Sequence, residues 1–291
     1  MFRSAITCTA ILLVAASSYA QDKTSGEKYL LTYKLEQGEE LVAKVVHEAE
    51  TQTTMANVDE SSTSITTSEK VWKVTDVNAK GEMTFEYRIN AVKLSQTVGE
   101  GEQIEYDSDG EGEVPDMFKP VAETVGKTLA TITINPRGQV VNRDKELKTP
   151  QLGMGEITIP LPANAIAVGE RWSVPREMRV KLESGQYKKV KVRELYELEK
   201  VLTGVATISI VTQTLTPVKD PAVEAQLIQQ LSRGIIRFDI DAGRLLSKRL
   251  DWSEEVLGFR GADTKLRYDG KFTEELVNSI RTASKSTPKN K

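Results

Sequence analysis

Apolar residues recurring at every second position confine a chain to strands with one dry and one wet face, and that period runs through most of this sequence. In GEMTFEYRINAVKL, Met83, Phe85, Tyr87, Ile89 and Ala91 fall on one side, and Thr84, Glu86, Arg88 and Asn90 on the other. In YLLTYKLEQG, Tyr29, Leu31, Tyr33 and Leu35 share a face, while VATISIVTQTLTP separates Ile208 and Ile210 from Thr207 and Ser209. Alternation of this kind belongs to antiparallel sheets with a solvated side. TQTTMANVDESSTSITTSEK reads as two strand arms joined at residues 57–60, because Thr suits a pleated surface better than a helix.

Turn chemistry falls where those strands should end. Asn78 and Gly81 separate Val71–Val77 from Met83–Ala91, and NPRG and DAG each join two apolar runs through a glycine able to take positive φ. Helix is scarce. DMFKPVAETVGK allows one short helix with Pro120 in its first turn. DPAVEAQLIQQLSRG offers Asp220 as N-cap, Pro221 at the first helical position and Gly234 as C-terminal cap, with Val223, Leu227, Ile228 and Leu231 as its apolar stripe.

The landmarks occur twice. Gly38-Glu39, a hairpin at Gly81, a short helix and ITINPRGQVV are followed by Gly169-Glu170, a hairpin at Gly204, a longer helix and RFDIDAGRLL. We therefore expect a duplicated, mostly β fold with one or two short helices: two curved antiparallel sheets, each with a helix on one face. The first lobe spans residues 28–152 and the second 153–276, with Pro150, Pro160 and Pro162 marking the connection. Whether the two copies pack separately or share one sheet or core stays open.

The N-terminus has the layout of a secretory signal peptide, with Arg3, an apolar run, and Ser18-Tyr19-Ala20 before a cut after Ala20. Residues 1–20 are read as that peptide, 21–27 as a leader, and 277–291, rich in Lys and Ser, as a disordered basic tail. The expected location is the bacterial periplasm or the extracellular space. Cleavage leaves 291 − 20 = 271 residues, removes the single cysteine, Cys8, and leaves no other run of transmembrane length. Such a chain must hold itself together by burial alone. Without Arg3 it has 38 basic and 42 acidic residues, a net of −4, which argues against a nucleic-acid partner.

VWKVTDVNAKGEMTFEYRINAVKL, IEYDSDGEGEVPDMFKPVAETVGKTLATITINPRGQVV and IPLPANAIAVGERW together resemble a family of exported bacterial β-rich proteins classed as a domain of unknown function. The resemblance covers most of residues 65–175 and implies no catalytic residues. The architecture also looks like the half-barrels of lipoprotein carriers and lipid-binding envelope proteins, a likeness of fold alone.

Enzyme chemistry is short of parts. His47 is the sole histidine and sits in phase with Leu41, Ala43 and Val45, the position of a packed side chain. Neither a nucleophile elbow nor a phosphate-binding loop occurs, and no cofactor is expected. DSDGEGEVPD places Asp107, Asp109 and Glu111 on a glycine-rich loop, a weak calcium candidate that departs from the EF-hand spacing. We expect a non-enzymatic envelope protein. In the first reading it binds a lipid, another apolar ligand or an envelope partner on concave apolar faces lined by Phe85, Tyr87, Ile89, Trp172, Ile208 and Ile210. In the alternative its cores are sealed and it serves as a structural or scaffolding interaction protein. An apolar cavity of about 300–1,000 Å³ left open after the second helix docks separates the two.

Overall fold

The computed structural model describes residues 26–144, 158–182 and 184–281. The expected signal peptide, the boundary near residue 152 and the tail from residue 282 onward lie outside them. The strands are β1 (Lys28–Tyr29), β2 (Glu39–Met55), β3 (Val58–Val77), β4 (Met83–Val98), β5 (Ile104–Asp107), β6 (Thr128–Ile134) and β7 (Val140–Asp144), followed by β8 (Ile166–Ala167), β9 (Arg171–Lys181), β10 (Tyr187–Leu202), β11 (Val205–Thr214), β12 (Arg233–Asp239), β13 (Arg244–Leu257) and β14 (Thr264–Arg281). Helix α1 (Lys119–Ala122) follows a 3₁₀ turn at Asp116–Phe118, and α2 (Pro221–Leu227) runs into another at Ile228–Gln230.

The fold is mostly β, antiparallel, curved and unclosed. One sheet runs in the order β7-β6-β4-β3-β2-β14-β13-β12-β11-β10-β9, with β5 added on β4 and a separate β1-β8 pair. The first copy is β2-β3-β4-α1-β6-β7 and the second β9-β10-β11-α2-β12-β13. Strand β14 belongs to neither. It pairs with β13 on one side and with β2 on the other, from Thr264 opposite Met55 to Arg281 opposite Glu39. The question left open by the sequence is thereby answered: the two copies share one sheet. They also share one apolar core, in which Phe85 and Ile132 of the first copy join Ile208 and Phe238 of the second.

The duplication is visible in individual hydrogen bonds. Gly38 N–H donates to Val74 O at 2.9 Å, and Gly169 N–H to Leu198 O at 2.7 Å. Glu39 and Glu170 then turn back and accept the N–H of Glu36 (3.0 Å) and Ala167 (2.9 Å) with a carboxylate oxygen. Both glycines are left-handed, φ 83° and 87°, which explains the repeated Gly-Glu pair.

The echoed turns of the two copies converge on one piece of chain. Tyr33 N–H donates to Pro136 O at 2.8 Å, and Lys34 N–H to Gly243 O at 3.0 Å. A Cβ on Gly138 would stand 2.5 Å from the Tyr33 ring, and one on Gly243 2.5 Å from Lys34 Cβ. Residues 30–36 are therefore clasped between the NPRG and DAG turns. Leu31, Tyr33 and Leu35 are buried as their alternation predicts, but the backbone N–H groups of Tyr33 and Lys34 bond to turns and not to a strand.

Three other expectations shift. The arms of β2 and β3 meet at Ala56-Asn57, both left-handed (φ 49° and 64°), a two-residue hairpin instead of a joint at 57–60. Asp220 caps α2 by accepting Ala222 N–H at 2.9 Å, yet Gly234 is no cap. It lies in β12, where an added Cβ would meet Arg249 O at 1.9 Å, so the glycine admits the close approach of β13. Strand β14 runs to Arg281, into the stretch read as tail.

Candidate functional site

The sheet buries one face. Alternation and register bring Phe85, Tyr87 and Ile89 of β4, and Ile208 and Ile210 of β11, into the common core, with Phe85 and Ile208 wholly inaccessible. Trp172 packs half-buried at its margin, stacked on Tyr196 with ring centroids 5.2 Å apart, its indole N–H donating to Pro160 O at 2.8 Å. Trp72 stacks on Phe85 at 4.7 Å in the other copy. Five of the six residues expected to line concave faces thus lie inside one shared core, and Trp172 packs against its edge.

Beside that core lies a cavity of about 30 Å³, bounded by Tyr33, Leu41, Lys70, Trp72, Arg244 and Glu274, among others. It is an order of magnitude below the space a drug-sized ligand takes. Its walls carry charge. Lys70 Nζ pairs with Glu274 Oε1, Lys248 Nζ lies 3.9 Å from Glu274 Oε2, and Arg244 holds Glu39 at 2.6 Å. None of the five side chains is more than 8% exposed. Burial drives the Lys70 ammonium below its ordinary range, Glu274 opposes this, and Lys248 adds to it. Burial, with Glu274 adding to it, also pushes the phenols of Tyr33 and Tyr87 well up, so both stay neutral hydroxyls.

His47 sits on the same face, edge-on to Trp252 at 6.0 Å, and its register partners are Phe272 and Thr66. Burial holds its imidazole below the ordinary 6.5. Those neighbours are packing partners, the arrangement expected for a lone histidine on an apolar phase.

A roomier concavity opens on the other face of the sheet. Residues of opposite phase on β3, β4 and β5 form cross-strand pairs: Ile65 with Ser95, Thr67 with Lys93, Glu105 with Ser95 and Asp107 with Lys93. With Gly110, Gly112 and Glu113 of the following loop they line a cleft of about 300 Å³. Lys93 Nζ meets Asp107 Oδ2 at 2.6 Å, while Asp107 Oδ1 accepts Asp109 N–H at 3.0 Å. The Lys93 hydrogen bond, followed by that backbone N–H, holds the Asp107 carboxyl below its usual range. Among the described residues no set of three His, Cys, Asp or Glu gathers as a metal would require, and the Asp107 carboxylate already has the Lys93 ammonium. The loop acts as one wall of the cleft, with Asp107, Asp109 and Glu111 spread along it.

No family model and no curated protein matches the chain. Two solved structures are distantly similar. A lipovitellin structure concerned with lipid–protein interactions is 9% identical with a TM-score of 0.45, over 87% of this chain and 26% of its own, so this chain spans about a quarter of that one. A DUF1329 family protein from Desulfovibrio piger is 10% identical with a TM-score of 0.15, over 83% of this chain and 86% of its own. Neither likeness carries a functional argument.

The buried charges went unread in the sequence, although a signal was present. Lys70 shares its strand phase with Ser68 and Trp72, Lys248 with Leu250, and Glu274 with Phe272 and Leu276. A charged side chain on the apolar phase of a strand marks a buried ion.

Proposed function

We propose that the protein is an exported, non-enzymatic binding module whose site is the cleft under residues 107–113, on the face opposite the apolar core. One observation carries this reading: the cleft measures about 300 Å³, against about 30 Å³ beside the core. Ile65 and the Thr67 methyl supply apolar contact, and the Lys93–Asp107 pair at the rim offers one donor and one acceptor group of opposite charge. That mixture suits a small amphipathic ligand or the side chains of an envelope partner. Export is supported by the layout of residues 1–20, and absence of catalysis by the packing of His47 against Trp252.

Native mass spectrometry of the mature protein, drawn from its own host's envelope, tests the reading when paired with a Thr67→Trp variant that fills the cleft. The expected result is an added mass in the wild type that is absent from the variant. An added mass that survives Thr67→Trp places the ligand elsewhere and overturns the site. A bare chain in both samples returns the protein to the scaffold alternative.

A further inference from the structure

The charge of the chain is divided unequally between its two copies. Residues 39–144, the first copy, hold 10 basic and 20 acidic residues, whereas residues 171–257, the second, hold 15 basic and 12 acidic. The basic excess is concentrated on one hairpin: from Arg176 to Arg193 there are seven Lys or Arg and two Glu. Val180, Val190 and Val192 are buried, so Arg179 and Lys181 of β9 and Lys189, Lys191 and Arg193 of β10 project from the opposite, outer face. Register sets Lys181 opposite Tyr187 and Arg179 opposite Lys189, which gathers these cations on two neighbouring strands. Little on that face neutralises them. Glu177 is taken by Lys189, Nζ to Oε2 3.2 Å, and Arg193 donates to the neutral side-chain amide of Gln213 at 2.8 Å. Among the described residues Arg179, Lys181 and Lys191 form no ion pair. Tyr187 stands among them, 68% exposed. The platform is held firmly from behind. Val223 and Leu227 of α2 pack on the three valines, and the Gln226 amide bonds both the N–H and the C=O of Lys181, at 2.8 and 2.7 Å.

We propose that the outer face of the β9–β10 hairpin is a docking surface for an anionic lipid bilayer. Its cations stand side by side on an exposed pleated face with a phenol between them. That arrangement suits a laterally extended layer of negative headgroups with apolar chains beneath, where Lys and Arg gain from the surface potential and Tyr settles at headgroup level. The acidic first copy is repelled by the same surface. Five strands separate β10 from β3 in the sheet, so docking turns the second copy toward the lipid and leaves the cleft on β3, β4 and β5 facing away. The surface is independent of the cleft and of whatever the cleft holds.

Co-sedimentation of the chain from residue 21 onward with vesicles of mixed phosphatidylglycerol and phosphatidylcholine tests the assignment, with pure phosphatidylcholine as the neutral reference. The expected result is binding to the mixed vesicles alone, lost between about 0.05 and 0.5 M salt. Lys181→Gln with Lys191→Gln should weaken it about fivefold for each cation removed. Lys73→Gln with Lys80→Gln makes the same charge change on exposed lysines of the first copy and should leave binding unchanged. Tyr187→Cys places a single thiol in that otherwise cysteine-free chain, and an environment-sensitive dye on it should shift to the blue when mixed vesicles are added. Absence of binding in low salt, or an equal loss from the two lysine pairs, overturns the proposal. Retention on immobilised polyaspartate without vesicle binding overturns it in favour of an acidic protein segment.

Discussion

Tyr33 meets Phe238 edge to face, with ring centroids 5.3 Å apart and planes at 87°, so the lead-in to the first copy is packed on a strand of the second. The same phenol oxygen accepts the Ile159 N–H at 3.1 Å, which ties in the lead-in to the second copy as well. One side chain thus touches both halves and the segment between them. Replacing Tyr33 by Ala should cost about 3–5 kcal/mol, the range for deleting a large buried aromatic. Urea titration measures it, and a loss below about 1 kcal/mol would mean that the clasp closes without the ring.

The glycines of the two echoed turns should be unequal to other turn glycines. Gly138 and Gly243 combine positive φ with a Cβ position already filled by Tyr33 or Lys34, at 2.5 Å. Gly126 has a similar φ of +76° and open space around it. Gly126→Ala should cost about 1 kcal/mol, the backbone strain alone, and Gly138→Ala distinctly more. Equal midpoints for the two variants would show that the packing around residues 33–34 yields freely.

Around Glu274 the two possible deletions should differ in size. Glu274→Gln strands two lysines and should destabilise by about 3–5 kcal/mol, as when a buried pair loses one partner. Lys70→Met leaves one carboxylate with one ammonium, Lys248, and should cost much less. Chemical denaturation of both variants checks the order, and the reverse order would contradict the sharing of Glu274 by the two lysines.

Ile208→Glu should abolish the cooperative thermal transition. Ile208 is wholly inaccessible, with Leu198 and Ile236 as its cross-strand partners, and no solvent reaches a carboxylate there. An intact transition would reopen the inner face as a binding surface.

His47 should contribute an acid-side loss of stability. Its folded pKa lies below the ordinary 6.5 because burial disfavours the imidazolium. Between the folded value and 6.5 the unfolded chain binds more protons, so stability falls as pH drops from about 6.5 through the folded value, and levels off below it. His47→Phe should remove that limb from a plot of denaturation midpoint against pH. A variant profile parallel to the wild type would assign the limb to other groups.

Much of the fold was legible because burial on a strand has period two. The alternation of residues 83–91 and 205–214, the glycine turns and the Asp220-Pro221 helix start all rest on local rules, and the structure places each where those rules put it. The lead-in was only half legible. Alternation predicted that Leu31, Tyr33 and Leu35 are buried, but the backbone partners of Tyr33 and Lys34, Pro136 and Gly243, are set by distant turns. The site was less legible still. Facing inward can be read from phase, whereas free volume depends on how two copies interdigitate, and Phe85 and Ile208 filled the space that a ligand was expected to take. The outer cleft needs Ile65, Lys93 and Asp107 in adjacent register, a relation that no local pattern encodes.

Strand β14 gives the order of synthesis a structural meaning. The strand that zips the second copy to the first follows every other described strand in chain order, and its partner β2 precedes all of them but β1. During synthesis, β2 therefore waits with one side of its hydrogen-bonding ladder unfilled until residues 264–281 arrive. A raw strand edge of that length invites pairing with another chain. The molecule depends for that interval on whatever shields nascent edges, and a truncation before Thr264 would make the interval permanent.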